Sequence, residues 1–407
     1  MKNESGVSKF IVSLCVISPF IFEVLSTQFN YKYNVQTIIL LYLVSMLYLL
    51  YKNSFSIKLN TGGLLKLWFL LIFFSLVSTL LGDNLLLSSQ RIITILIPSL
   101  FLIILVSNDQ NRDGTFLTVI KLFSIFSVLF TVIAIIINYF GYSTFYDNWR
   151  VMQFDIGPIS FFQRLAGNDV IGVSSLFYNP NNFAAFLLIG LTSSLIIWNL
   201  NFINKKKILI RIIIIYIGII MSMSRTSIIL SFLIPVILRF NQAKYSIQHV
   251  LIVNASMITA MILAISFFNK LLSIDLTGRD VIWWNLIESI KLNPFFGVGF
   301  GLSYEAILEP LGLKGAHNIY LLVLSELGFI GFIVFISLNV IAIMKNIKSL
   351  RITIDSKRVL VSGILTMLLM LLIYEVFEGG LLGFSALNFF WVYILTCSYL
   401  SLNQKRT

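Results

Sequence analysis

Three short polar stretches in a strongly apolar chain of 407 residues hold the side chains best suited to chemistry. Thr277 to Asp280 (TGRD) supplies Arg279, Gly315 to Tyr320 (GAHNIY) supplies His317 and Asn318, and Ser222 to Ser227 (SMSRTS) supplies Arg225. A neutral imidazole takes up a proton near physiological pH, which suits His317 to general-base work on a hydroxyl. Guanidinium groups grip phosphate oxygens through paired N–H donors and need no metal to do so. Each residue also has a plainer reading, Arg225 as an arginine snorkelling at a membrane edge and His317 as a capping or interfacial side chain. The chemical reading requires the three groups to lie on one side of a membrane, so the elements that carry them come next.

Hydrophobic residues make up 58% of the chain and charged residues 11%. Apolar runs of about 17–25 residues, the length that crosses a hydrocarbon core, recur throughout. The chain therefore reads as an all-α, polytopic integral membrane protein, a single membrane domain over 1–407. A barrel would show alternating segments of about ten residues instead. The runs predict about twelve spans, at 9–27, 34–51, 63–82, 88–107, 116–141, 181–200, 207–223, 225–240, 249–270, 317–344, 358–378 and 384–401. The basic leader with Lys2 and Lys9 resembles a signal peptide. No small-residue cleavage site follows it and Glu23 interrupts its end, so it reads as a retained first span. Cys15 and Cys397 sit inside spans as small hydrophobes, and neither a disulfide nor a metal site is expected of them.

Positive charge sorts between alternate loops. One set holds the basic clusters Lys205–Lys207, Lys345–Arg358 and Lys405–Arg406, together with Lys2, Lys9, Lys52, Lys58 and Arg112. The other set includes the two longest loops, 142–180 and 271–316, and carries basic residues only sparsely. Excess Lys and Arg marks the cytoplasmic side, which places both termini there and the two long loops in the periplasm. The net charge of +12 thus records topology. Acidic residues, Asp280, Glu305, Glu375 and Glu378 among them, fall on the outer side or its edge. That mixed-charge surface suits polar ligands, and it lacks the uninterrupted basic patch that nucleic acid requires.

Both long loops are rich in aromatic residues, such as Phe161 and Phe162 in one and Trp283, Trp284 and Phe300 in the other. Aromatic faces stack on sugars, but Trp and Tyr also collect at membrane interfaces for structural reasons. Asp280 to Leu292 repeats its apolar residues at helical spacing and ends before Asn293-Pro294, which predicts an amphipathic helix along the outer surface. Gly297, Gly299 and Gly301 read as a flexible connection. Their GVGFG run lacks the preceding strand and following helix of a nucleotide-binding fingerprint. Helix starts at Asn179–Asn182, Arg225 and His317 turn unpaired N–H groups to the outer side, and with Arg225, Arg279 and Arg164 they make a plausible pyrophosphate site. Antiparallel spans always place alternate starts on one face, so the dipoles alone decide nothing. Glu326 lies nine residues after His317, about 13 Å along the helix and on its opposite face, a buried carboxylate but not the direct partner of that histidine.

Four stretches carry a resemblance: SLFYNPNNFAAFLL from Ser175, SMSRTSII from Ser222, TGRDVIWWNLIESIKLNPFFGVGFG from Thr277 and AHNIYLLVLSELGFIGF from Ala316. Covering about a quarter of the chain, they resemble the bacterial O-antigen polymerase and O-antigen ligase superfamily of membrane glycosyltransferases. The resemblance implies transfer of a glycan from undecaprenyl pyrophosphate to an acceptor at the periplasmic face of the inner membrane, with no cofactor, no metal and no nucleotide sugar. It implies that Arg225 and Arg279 hold the donor pyrophosphate and that His317 deprotonates or orients the acceptor hydroxyl, supported by Asn318 and Glu326. Asn182, at the start of the sixth span, and Arg164, in the loop before it, are further substrate-binding candidates. The implied partners are lipid-linked glycans, membrane lipids, a chain-length regulator and a flippase. The compact loop between the ninth and tenth spans leans the reading towards a polymerase, with a ligase acting on lipid A-core as the alternative. A lipid-linked glycan flippase is the rival from another class, but no internal repeat of the kind transporters show is visible.

Overall fold

The computed structural model describes residues 4–26, 32–52, 61–109, 111–140, 144–145, 151–156, 159–166, 170–201, 203–243, 279–309, 315–353, 355–383 and 385–400. Its helices are α1 (Glu4–Ser26), α2 (Lys32–Lys52), α3 (Leu64–Leu81), α4 (Leu85–Arg91), α5 (Ile97–Ser107), α6 (Arg112–Phe140), α7 (Pro180–Leu200), α8 (Lys205–Met221), α9 (Arg225–Gln242), α10 (Arg279–Leu292), α11 (Ile319–Ile352), α12 (Asp355–Tyr374) and α13 (Ala386–Leu400). They overlap eleven of the twelve apolar runs, and the remaining one, 249–270, lies outside the described residues. Six described helices are long and apolar enough to cross a membrane: Leu64–Leu81, Leu85–Ser107, Arg112–Tyr139, Pro180–Leu200, Ile319–Ile352 and Ser356–Tyr374. Helices α8 and α13, with 17 and 15 residues, fall short on length. A helix of 15 residues spans only about 22 Å.

The chain divides into two compact units. The first comprises Met1–Ile38, Gln110–Tyr245 and Thr353–Met370, and the second comprises Ile39–Asp109, Ser246–Ile352 and Leu371–Thr407.

In the first unit, α7 is buried along most of its length against α6, α8 and α9. Phe20, Phe123, Phe130, Phe177 and Phe186 interlock, with ring centroids 5.2–5.8 Å apart. Gly190 lets α6 approach closely, because a Cβ there would sit 1.9 Å from Ser127 Oγ.

The first unit also adds strands to the otherwise helical chain at 142–180, where the sequence predicts only a long loop. That stretch contains a four-stranded antiparallel meander, β1 (Thr144–Phe145), β2 (Val151–Ile156), β3 (Ile159–Ala166) and β4 (Val170–Ser175), paired in chain order. Its segments are short and rich in Val, Ile and Phe, with Gly157-Pro158 between β2 and β3, which is strand and turn chemistry. A register shift between Phe162 and Gln163 disturbs the alternation. Phe162 is buried and edges onto Tyr178 at 5.5 Å, so it serves packing and offers no open face to a sugar.

The second unit corrects the reading of the glycine run. Helix α11 is broken at Gly328, whose φ of 63° and ψ of −171° only glycine adopts readily. Residues 294–299 lie against the break as a strap of turns. Phe329 N–H donates to Pro294 O at 2.8 Å, Val298 N–H to Ser325 O at 2.8 Å and Gly299 N–H to Glu326 O at 3.2 Å. The strap satisfies backbone groups that a broken apolar helix would otherwise leave bare. Gly297, Gly299 and Gly301 are therefore fixed elements. All three have positive φ, and a Cβ on Gly297 would meet the Glu326 carbonyl carbon at 2.3 Å.

A Cβ on Gly328 would lie 2.2 Å from the Phe295 carbonyl carbon. Gly328→Ala is expected to cost about 1–3 kcal/mol in backbone strain and a similar amount, about 1–3 kcal/mol, in overlap. Thermal unfolding in detergent checks this, and a midpoint equal to that of the wild type would contradict the strap.

Candidate active site

The second unit brings together two of the sequence candidates through a third residue. Arg279 is the first residue of α10, His317 lies two residues before α11, and Glu378 follows α12 in the connection to α13. Arg279 Nη2 donates to Glu378 Oε1 at 3.3 Å, and His317 Nδ1 lies 3.2 Å from Glu378 Oε2. The three side chains are 20%, 31% and 15% exposed in the order Arg279, His317, Glu378, open enough to meet a ligand and dry enough for charge to count.

The local sequence explains how each group is held. Helix α10 presents Ile282 and Leu286 to Leu308 and Ala316, a small apolar cluster that Trp283, Leu321 and Leu322 extend. The Trp283 indole N–H donates to Ala316 O at 3.2 Å and so fixes the residue before the histidine. His317 itself adopts a positive φ of 48°, uncommon for a residue other than glycine. Asn318 then caps α11, its Oδ1 accepting the N–H groups of Tyr320 and Leu321 at 3.0 Å each. Ile319 N–H donates to the Glu375 carbonyl at 3.0 Å, tying the start of α11 to the end of α12.

An ionised Glu378 orders the imidazole. In the tautomer whose Nδ1–H donates to that carboxylate, Nε2 is the lone-pair nitrogen available to a hydroxyl. Gly315 lies beside that nitrogen, where an added Cβ would come into ordinary van der Waals contact, 3.7 Å from Nε2. The same carboxylate engages the Arg279 guanidinium, whose Nε is buried without a hydrogen-bond partner. Among the described residues Glu378 engages only one N–H of Nη2, which leaves the other Nη donors for an anion.

The other candidates lie elsewhere. Glu326 is buried at the α11 break, where its oxygens accept from Ser303 Oγ at 2.6 Å and Gly301 N–H at 2.9 Å. It braces the glycine strap and makes no described contact with His317. In the first unit, Arg225 is exposed at the start of α9, after Ser224, whose Oγ lies 3.0 Å from Ser227 Oγ. Asn182 donates through Nδ2 to Glu23. Arg164 stands in β3 opposite Val151 and Gly172. A Cβ on Gly172 would lie 2.8 Å from Ser222 O, so β4 rests on the turn that leads into Arg225.

Sequence reasoning missed Glu378 as a participant and recorded it only as one acidic residue at the membrane edge. The available signal was the EGG run (Glu378-Gly379-Gly380), a tight turn with a carboxylate at its head just before another apolar helix.

With this geometry in place, comparison with known protein families shows that residues 183–336 fit the O-antigen ligase family model. Over this segment, less than half of the chain, the match supports the O-antigen polymerase and ligase superfamily. It carries Arg225, Arg279, His317, Asn318 and Glu326, while Arg164, Asn182 and Glu378 fall outside it. No curated protein matches the chain. Proteins of that family are enzymes of glycosyltransferase type, and the match agrees with the six helices long and apolar enough to cross a membrane.

Proposed function

We propose that this protein is a membrane glycosyltransferase that joins undecaprenyl-pyrophosphate-linked repeat units into O-antigen or a related surface polysaccharide at the periplasmic face of the inner membrane. The observation that supports it best is the Glu378 carboxylate shared between a histidine and an arginine. His317 Nε2 takes the proton of the acceptor hydroxyl as its oxygen bonds to the anomeric carbon of the donor. The bond from that carbon to the pyrophosphate oxygen breaks, and undecaprenyl pyrophosphate leaves with the electron pair. Arg279 stabilises the charge that develops on the leaving group, a role oriented N–H donors fill without a metal. Arg225 has its expected role from the family resemblance alone.

A second reading, ligation of the finished glycan to lipid A-core, is favoured by the description of the matched family as O-antigen ligase. Purified protein in vesicles with lipid-linked repeat units separates the two. Lengthened chains formed without lipid A-core, and unaffected by a chelator, are expected. Strict dependence on lipid A-core would move the assignment to a ligase, and passage of the lipid across the bilayer without bond formation would overturn both. In the same assay Arg279→Ala is expected to lower the rate about 10²–10³-fold, the range seen when one oriented donor to a developing anion is removed. Arg225→Ala tests the remaining arginine separately.

A further inference from the structure

Glu375 has no part in the proposed reaction, yet it lies three residues before Glu378 and is fully buried. One carboxyl oxygen, Oε2, accepts the N–H groups of Gly380 and Leu381 at 2.6 Å and 3.3 Å. The other, Oε1, is buried without a hydrogen-bond partner. The backbone carbonyl of the same residue accepts the Ile319 N–H at the start of α11. The turn 375–381 is thus closed on itself by one side chain and tied to the His317 segment by one carbonyl. Gly379 fits beneath the histidine, since a Cβ there would stand 3.6 Å from the His317 backbone nitrogen.

We propose that Glu375 is a positioning residue, a buried acid that holds the turn after α12 so that Glu378 reaches both His317 and Arg279. A bare, ionised oxygen in that enclosure is costly, whereas the protonated acid keeps both N–H bonds to Oε2. The ionisable groups around it agree: Glu378 on the same turn opposes a second negative charge, and Tyr320 on α11 brings no positive one. Arg279 and His317, the nearby cationic candidates, are engaged by Glu378. Burial, reinforced by the charge of Glu378, pushes the Glu375 carboxyl up to about 8 despite the two backbone N–H bonds. The acid therefore stays protonated in the folded protein well above the pH at which the unfolded chain releases that proton. By linkage, stability falls as pH rises from about 4.5 to about 8 and levels beyond it.

The inference about catalysis rests on the proposed transferase reading, and the stability measurement does not. The test compares the wild type with Glu375→Gln, which keeps an acceptor for Gly380 and Leu381 but cannot ionise, and with Glu375→Leu, which keeps neither. In detergent, the unfolding midpoint of the wild type is expected to drop between about pH 5 and pH 8 by more than that of Glu375→Gln. Identical pH slopes for the two proteins would overturn the proposal whether or not the protein transfers glycan. In the transfer assay below pH 8, Glu375→Gln is expected to retain most of the wild-type turnover and Glu375→Leu to lose at least tenfold. Above pH 8 the wild-type turnover is expected to fall while that of Glu375→Gln holds. Equal alkaline losses in wild type and Glu375→Gln, or full activity in a folded Glu375→Leu, would remove Glu375 from the site. If no variant transfers glycan but the stability slopes differ, the transferase reading fails and the buried acid stands.

Discussion

His317→Ala is expected to lower glycan transfer by about 10²–10⁴-fold, the contribution a positioned general base typically makes. The loss should fall on turnover, because the imidazole acts on the acceptor hydroxyl as the new bond forms and adds little to the grip on the donor. Folding should be largely spared. The side chain is about one-third exposed, its one described polar contact is Glu378, and Asn318 provides the helix cap. Turnover and KM for the lipid-linked donor, measured on protein that elutes as wild type from size exclusion, check this. Turnover within threefold of wild type would remove His317 from the chemistry. A rise in KM alone would make it a binding residue.

Glu378→Gln is expected to cost nearly as much, about 10²–10³-fold in turnover, because one residue performs two tasks. An amide can offer its NH₂ group to His317 Nδ1 and so favour the tautomer with its proton on Nε2, the wrong arrangement for a base. It also removes the negative charge that orients the Arg279 guanidinium at 3.3 Å. Glu378→Asp keeps the charge but shortens the reach and is expected to be intermediate. A Glu378→Gln protein as active as wild type would reduce the bridge to a surface ion pair, which contributes only about 0–1 kcal/mol in most proteins.

The sequence announced the helices because a membrane demands long apolar runs, and those runs need no partner to be read. Helix α10 was equally legible, its apolar spacing and Asn293-Pro294 stop being local signals. Arg279 and His317 stood out as polar groups at the ends of apolar segments. Less legible was whatever depended on distant pairing. The meander at 144–175 was hidden by the paired Phe161-Phe162 and the register shift beside them, which blur a period of two. The Gly297–Gly301 run looked like slack chain because its partner, the break at Gly328, lies about thirty residues further on in another helix. Glu378 follows His317 by 61 residues, and only the fold brings the end of α12 beside the start of α11.

The measurement that tests the central claim most directly is the turnover of the doubly substituted His317→Ala/Glu378→Gln protein against each single variant. Because the carboxylate also orients Arg279, the double variant should be slower than His317→Ala alone, but its loss should stay well below the product of the two single losses. Losses that multiply would mean that the two side chains act independently and would contradict the shared site.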